Sequence, residues 1–250
     1  MCSSDLFWML NGVWPSVHWN LYDWYYEPGG GYFGAKKANE PVHIAYDYVT
    51  RNVYVVNSTL TARSGMSATA TFYNIPGITT QSTTSASNLS IPANASTQVM
   101  TLPAVSGLST TYFIRLQLKD STGAVVSNNL YWYSTSVRNF ANLTGLNSLA
   151  TNSSVTASAS RTVSSGTETA TITLNNTSAT NIAFFLRPEV IAGSGGTEVL
   201  PITYTDNFVS LFPGESKTIT ATYQTSDLGG QSPYLLVRGY NVPTTSQVIP

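Results

Sequence analysis

Charge is scarce in this chain. Asp, Glu, Lys and Arg make up 9% of its 250 residues, against roughly a quarter in an average soluble domain. The 11 basic and 12 acidic residues nearly cancel, to a formal −1, and no basic run interleaves with aromatics. Nucleic-acid binding therefore lacks its electrostatic footprint. Cysteine occurs once, at Cys2, which excludes disulfides within the chain and cysteine-based metal sites. The two histidines, His18 and His43, are far apart and lack a spaced carboxylate partner, so no metal site is expected. No apolar run approaches the roughly 20 residues of a membrane-spanning helix, and no membrane contact is expected.

In place of charge there is Ser, Thr and Asn, which hydrate a β surface without ion pairs. Such a composition is common in secreted bacterial sandwich proteins and points to a secreted or periplasmic location. Six or so Asn-X-Ser/Thr triplets, among them Asn57, Asn94 and Asn176, follow from the same richness and carry no separate message.

From about His43 the apolar residues recur with period two. Ile44, Tyr46 and Tyr48 share a face, Val53 and Val55 follow a turn at 50–52, and Ala68, Ala70 and Phe72 continue the pattern. Ile114, Leu116 and Leu118 alternate with Arg115, Gln117 and Lys119; a hairpin turn at 120–123 then leads to Val125 and an aromatic strand at 130–133. Short alternating strands between turn clusters predict an antiparallel sandwich. Residues 41–135 form one domain of immunoglobulin-like size, 136–147 a linker rich in Asn, Ser, Thr and Gly, and 148–250 a second sandwich. In the second, Ala170, Ile172 and Leu174 share a face, as do Ile182, Phe184 and Leu186. Ile219, Ala221 and Tyr223 make a later strand and 234–242 the last, with Asp206-Asn207-Phe208 and Pro213-Gly214 as turns. Asp206-Asn207 also invites a calcium reading, but the local acid supply is thin for an ion that takes about six or more oxygens.

The first forty residues are different. FWMLNGVWPSVHWNLYDWYY, residues 7–26, is an apolar strand, a Trp-Pro turn and an aromatic stretch. A strand buried on both faces needs neighbours for its backbone N–H and C=O groups, so this one reads as the edge of a larger domain. A helix is expected over 35–39, with glycines 29–31 as a flexible lead-in and Pro41 as its stop. MCSSDL, residues 1–6, can be encoded by the end of a sequencing adapter. It is expected to be a non-native leader on a truncated frame; an ordinary polar N-terminus is the alternative.

FWMLNGVWPSVHWNLYDWYYEPGGGYFGAKKANEPVHI, residues 7–44, resembles the last strand and last helix of the catalytic (β/α)8 barrel in family 2 glycoside hydrolases. The nearest branch is the exo-β-D-glucosaminidases, and YTDNFVSLFPGES, residues 204–216, resembles the last immunoglobulin-like domain of that branch. The resemblance implies a mostly β chain: a barrel remnant at 7–40, then two immunoglobulin-like sandwiches. It also implies retaining hydrolysis of terminal β-linked glucosamine from chitosan oligosaccharides, without a cofactor. The partners implied are that amino-sugar oligosaccharide and the missing N-terminal part of the barrel.

Retaining glycosidases use two carboxyl groups about 5–5.5 Å apart, carried in a barrel by the C-terminal ends of strands. By the resemblance both glutamates precede Phe7. Asp23, Glu27 and Glu40 fall after the strand and match no catalytic position, so the chain alone is expected to be inactive, with no catalytic residue of its own. What remains is the wall of the site: Trp14 as an aromatic platform for the sugar and Asn11 as a polar positioner. An indole offers a flat, polarisable face to the C–H bonds of a sugar ring. Packing between helix and barrel competes with that role at Trp14 and is the expected role of Trp8, Trp19 and Trp24; His18 is expected to be a packed or loop residue. Tyr131 and Tyr133 share one strand face with Trp132 opposite, which favours packing over a carbohydrate platform. A non-catalytic carbohydrate-binding protein, or a purely structural pair of sandwiches, is the competing reading of the whole chain.

Overall fold

The computed structural model describes residues 10–12, 14, 20–136 and 142–250. The expected leader at 1–6, and Trp8, His18 and Trp19, lie outside the described residues. The chain divides into two compact units: residues 37–150, and residues 151–250 together with those up to Lys36. Among the described residues there is one α-helix, α1 (Gly30–Ala38). It begins five residues earlier than the sequence suggests. Gly30 and Gly31 are helical, and Gly30 passes so close to Phe185 that a Cβ there would stand 3.5 Å from the ring. Packing of Tyr32 and Phe33 offsets the poor helix propensity of glycine.

The unit at 37–150 is a sandwich of seven strands: β1 (Val42–Tyr46), β2 (Asn52–Asn57), β3 (Arg63–Asn74), β4 (Thr79–Ile91), β5 (Ala95–Thr101), β6 (Thr111–Lys119) and β7 (Val125–Ser134). One sheet runs β1-β2-β5 and the other β4-β3-β6-β7. The alternating residues of the sequence face inward: Ile44, Val53, Val55, Ala68, Ala70, Ile114, Leu116 and Leu118 are fully buried. Tyr131 and Tyr133 close one edge with Tyr46, Tyr48 and Tyr112, ring centroids 5.1–5.9 Å apart, while Trp132 points the other way. Part of the stretch read as a linker forms a 3-10 turn (Thr144–Ser148). It is anchored to β6: the Thr111 hydroxyl donates to the Asn142 carbonyl at 2.7 Å and accepts the Gly145 N–H at 3.2 Å.

The second sandwich contains β8 (Val155–Ser164), β9 (Thr167–Asn176), β10 (Ala183–Ala192), β11 (Thr203–Tyr204), β12 (Val209–Leu211), β13 (Ser216–Gln224), β14 (Pro233–Arg238) and β15 (Thr245–Val248). Its sheets run β11-β13-β9-β8 and β12-β10-β14-β15. The last stretch, read as one strand over 234–242, stops at Arg238. At Gly239 a Cβ would lie 3.1 Å from both Leu186 and Val242; the chain turns there, and β15 returns antiparallel to β14. The Ser/Thr-rich strands β4 and β5 carry little apolar periodicity, and the inner face of β8 is mostly small residues, so their pairing was not visible in the pattern.

Hydroxyls do on these sheets what charges do elsewhere. On the outer face of β9 and β13, Thr169, Thr171 and Thr173 stand opposite Thr222, Thr220 and Thr218, and the last pair meets at 3.3 Å. Thr71 and Thr83 repeat the device in the other sandwich. A β-branched residue with a hydroxyl suits the pleated surface and still hydrates.

The Asn-X-Ser/Thr triplets have a structural cause. Asn57 and Asn176 are buried, and each ties together the corner of its own sandwich. Asn57 Nδ2 donates to the carbonyls of Thr61 and Pro92, and its Oδ1 accepts from the Thr59 N–H and hydroxyl. Asn176 Nδ2 donates to Asn181 and Leu211, and its Oδ1 accepts from Asn152 Nδ2 and the Ser178 N–H. The residue two positions on is polar because its backbone, or its hydroxyl, closes an Asx turn. Asn176→Ala removes the side-chain donor to the buried Leu211 carbonyl, at roughly 1–3 kcal/mol, while the Asn181 carbonyl keeps Asn152 Nδ2 as its donor. Urea unfolding of the second sandwich is expected to show a loss of about 1–3 kcal/mol.

Candidate functional site

The sandwich at 151–250 holds the first segment of the chain through one charged cluster. β10 reads AFFLRPEVIA. Between Ala183 and Leu186 its pairing with β12 is interrupted by a bulge, and Phe185 there takes a left-handed backbone, φ 56°. Pro188 has no N–H, and the β12 ladder ends before it; its carbonyl accepts from the Asn207 side chain at 3.0 Å. β10 continues into GSGGT, where Gly193 and Gly195 have φ of 77° and 71°. At Gly196 a Cβ would fall 1.8 Å from the Ala192 carbonyl oxygen, so no other residue fits. This tight return bridges Glu198 to Ile191 and brings its carboxylate back to Arg187.

Arg187 is the centre. Its Nη2 lies 2.8 Å from Glu198 and 3.0 Å from Glu189, and it also pairs with Glu27 of the first segment. Arg238 on β14 takes the other side of Glu189. The Tyr204 hydroxyl donates to Glu198 at 3.1 Å while accepting the Val190 N–H at 3.0 Å. The Glu198 side chain is 8% exposed. Burial pushes its pKa up to about 7; Arg187 opposes that shift, and the negative charges of Glu189 and Glu27 add to it. Burial likewise raises Glu189, against the pull of the two arginines.

Three carboxylates around one guanidinium are not a glycosidase pair. A retaining enzyme needs the sugar's anomeric carbon between its two carboxyl groups, and Arg187 stands in that place. The cluster is an anchor.

What it anchors is the first segment. Asp23 Oδ1 accepts the N–H groups of Tyr25 and Glu27 at 2.8 and 2.9 Å, closing a turn that aims Glu27 at Arg187. Tyr22 is bridged to Pro28 on one side and to Asn11 on the other, and its N–H donates to the Leu10 carbonyl at 2.9 Å. Further on, α1 inserts Phe33, 5% exposed, into the core of the sandwich. Its ring lies 5.9 Å from Phe208 and 6.5 Å from Tyr204, and Arg187 sits over the Phe208 ring at 5.6 Å. Lys36 donates to the Tyr204 carbonyl at 2.9 Å.

Asn11 and Trp14 stand at the free side of this segment. Trp14 is 66% exposed, and Leu10, Trp24, Tyr25 and Tyr26 are exposed with it. Trp24, expected to pack between helix and barrel, lies on the turn at 23–27 with 46% of its surface exposed in this chain. The sequence reading brought out Asn11 and Trp14 but missed Arg187, Glu189 and Glu198. The available signal was two charges inside an apolar strand of a chain that has very few.

Comparison with known proteins identifies both sandwiches. Residues 132–242 match the family described as the exo-β-D-glucosaminidase Ig-fold domain, and residues 50–135 the mannosidase Ig/CBM-like domain. An exo-β-D-glucosaminidase of Amycolatopsis orientalis is 43% identical over 98% of this chain and 25% of its own length. One of Hypocrea virens is 34% identical over 98% and 29%. The crystal structure of the A. orientalis exo-chitosanase CsxA superposes with a TM-score of 0.89 at 43% identity, covering 96% of this chain and 30% of that one; it has also been solved with PNP-β-D-glucosamine. A β-D-mannosidase from Dictyoglomus thermophilum shares the fold, at 19% identity and a TM-score of 0.59. The chain spans less than a third of the length of each of these relatives.

A carboxylate whose folded pKa lies above its ordinary value stabilises the fold most at low pH, and that contribution is lost as pH rises through the folded value. For Glu198 the window runs from its ordinary 4.5 to about 7. Unfolding of the second sandwich should therefore cost about 2 kcal/mol less at pH 8 than at pH 5. In Glu198→Gln that part of the slope should vanish, as equilibrium denaturation at the two pH values would show.

Proposed function

Because this chain corresponds to the C-terminal portion of the family 2 exo-β-D-glucosaminidases, we propose that it completes and buttresses a retaining glycosidase that releases terminal glucosamine from chitosan oligosaccharides. The observation that carries this reading is the 43% identity along nearly the whole chain to an enzyme of that activity, supported by the close superposition on CsxA. The two sandwiches are the support. The first segment is the last strand and helix of the catalytic barrel, and its exposed side, Leu10, Trp14 and the aromatics at 24–26, is where the rest of the barrel packs and where the sugar sits.

In that arrangement Trp14 stacks on the hydrophobic face of the glucosamine ring, and Asn11 orients one of its hydroxyls or its amino group. The general acid and the nucleophile come from the remainder of the barrel. Among the described residues the carboxylates of the anchored segment are committed elsewhere: Asp23 to its own turn and Glu27 to Arg187. A secreted or periplasmic location, suggested by the low charge and hydroxyl-rich surface, is part of the same proposal.

Two measurements test the reading. The isolated chain should not hydrolyse a chromogenic β-D-glucosaminide, and turnover by it would overturn the assignment. A chimera in which this chain replaces the C-terminal part of the A. orientalis enzyme should be active. Within it, Trp14→Ala should lower kcat/KM by about 10–100-fold, the loss of one aromatic contact of roughly 1–3 kcal/mol. Unchanged kinetics would remove Trp14 from the sugar site.

A further inference from the structure

The anchor of the first segment is unbalanced in charge. Three carboxylates, Glu27, Glu189 and Glu198, share two guanidiniums, Arg187 and Arg238. The segment contributes one member of this set and the sandwich all the others. Glu27 and Glu198 reach the same nitrogen of Arg187 from opposite partners, so each competes with the other for one cation. Burial disposes Glu198 to take up a proton, since its side chain is almost fully covered, while the Tyr204 hydroxyl, donating to its other oxygen at 3.1 Å, favours the anion. A proton on Glu198 would leave two carboxylates for two arginines, and Arg187 would be free to serve Glu27.

We propose that Arg187 and Glu198 form a proton-dependent clasp that positions the segment bearing Asn11 and Trp14, gripping Glu27 tightly when Glu198 is protonated and loosely when it is ionised. The mechanical path is short. Glu27 closes the turn on Asp23, Tyr22 leads out of that turn, and Tyr22 is bridged to Asn11 and bonded to Leu10. Gly12, between Asn11 and Trp14, packs against Asn20 and the backbone at Trp24. Loosening Glu27 therefore loosens the strip that carries both residues.

Among the described residues, the following groups face Glu198. Arg187 and Glu189 come from β10, Glu27 from the first segment and Tyr204 from β11. Arg238 on β14 acts through Glu189, and Lys36 of α1 holds the backbone carbonyl of Tyr204. Burial and the two neighbouring carboxylates favour the neutral acid, Arg187 and the hydrogen bond from Tyr204 favour the anion, and the balance places titration near neutrality. Linkage makes the effect reciprocal: if docking of Glu27 favours the proton on Glu198, the proton favours docking by the same factor. A coupling of one pKa unit corresponds to tenfold.

The clasp itself needs no sugar. Its consequence for substrate rests on the placement of Asn11 and Trp14 proposed above, and the test reads the chain alone, so the two can fail separately. Amide hydrogen exchange of the 250-residue chain, corrected for intrinsic rates, would be followed at Tyr22, Asp23 and Gly29, whose N–H groups bond Leu10, Glu27 and Leu21. Amides of β9 and β13 would report whether the sandwich is folded. Protection of the three amides should rise about tenfold between pH 8 and pH 5.5 in the unsubstituted chain. In Glu198→Gln it should be high at both pH values, and in Glu27→Gln low at both. Equal protection at both pH values in the unsubstituted chain, or an unaltered pH response in Glu27→Gln, would overturn the proposal. Should Glu198→Gln fail to fold, the Glu198 carboxyl titration followed by NMR decides: its midpoint should fall by about one unit in Glu27→Gln, and an unmoved midpoint would contradict the clasp.

Discussion

A buried guanidinium must have carboxylates around it or the fold that buries it is unstable. Arg187 meets that demand with one partner from its own strand, one from a glycine-rich return, and one from the far end of the chain. The third is what matters for organisation, because it makes the segment before residue 37 part of a domain that begins more than a hundred residues later. Phe33 does the same in apolar terms: it is part of the last sandwich's core, its ring beside Tyr204 and Phe208. The charged contact fixes orientation and the aromatic one supplies most of the burial energy, roughly 2–3 kcal/mol for a fully covered phenylalanine.

The same logic explains how a chain with so little charge stays folded and hydrated. Threonine hydroxyls facing each other across β9 and β13 present polar surface at no desolvation cost, and buried asparagines close the corners that ion pairs or disulfides would otherwise hold. Asn57 and Asn176 occupy matching places at the ends of β2 and β9. Charge is then kept for the few sites where direction matters: Glu168 between Arg161 and Tyr223, Asp206 with Lys217, and the Arg187 cluster.

Much of this was legible in the residues. Period-two alternation located the inner faces of β3, β6, β9 and β13 residue by residue, because one face of each is fully buried. The turn at Asp206 to Phe208 was legible from its chemistry. The helix start was not, since glycines 30 and 31 look like a loop until Gly30 is known to lie against Phe185. Strands β4 and β5 were hidden because polar residues occupy both faces and leave little contrast, and β8 because its inner face is mostly small, with Ala157 and Ala159 packed on the core. The end of β14 was hidden for a different reason: a Cβ at Gly239 would crowd Leu186, which is distant in sequence, as well as nearby Val242. Of the site, Asn11 and Trp14 could be named from a family resemblance and are found on an exposed edge. Arg187 could not, because its significance lies in a partner 160 residues away.

The central claim is that the first segment belongs to the core of the last sandwich. Phe33→Ala tests it most directly, with native-state hydrogen exchange read at the β9 and β13 amides and, as a reference, at β3 and β6. Truncating a buried phenylalanine in a shared core should lower the opening free energy of β9 and β13 by about 3–5 kcal/mol and leave β3 and β6 unchanged. If instead only residues 20–36 lose protection while β9 and β13 keep theirs, the segment merely rests on the sandwich and the account is wrong.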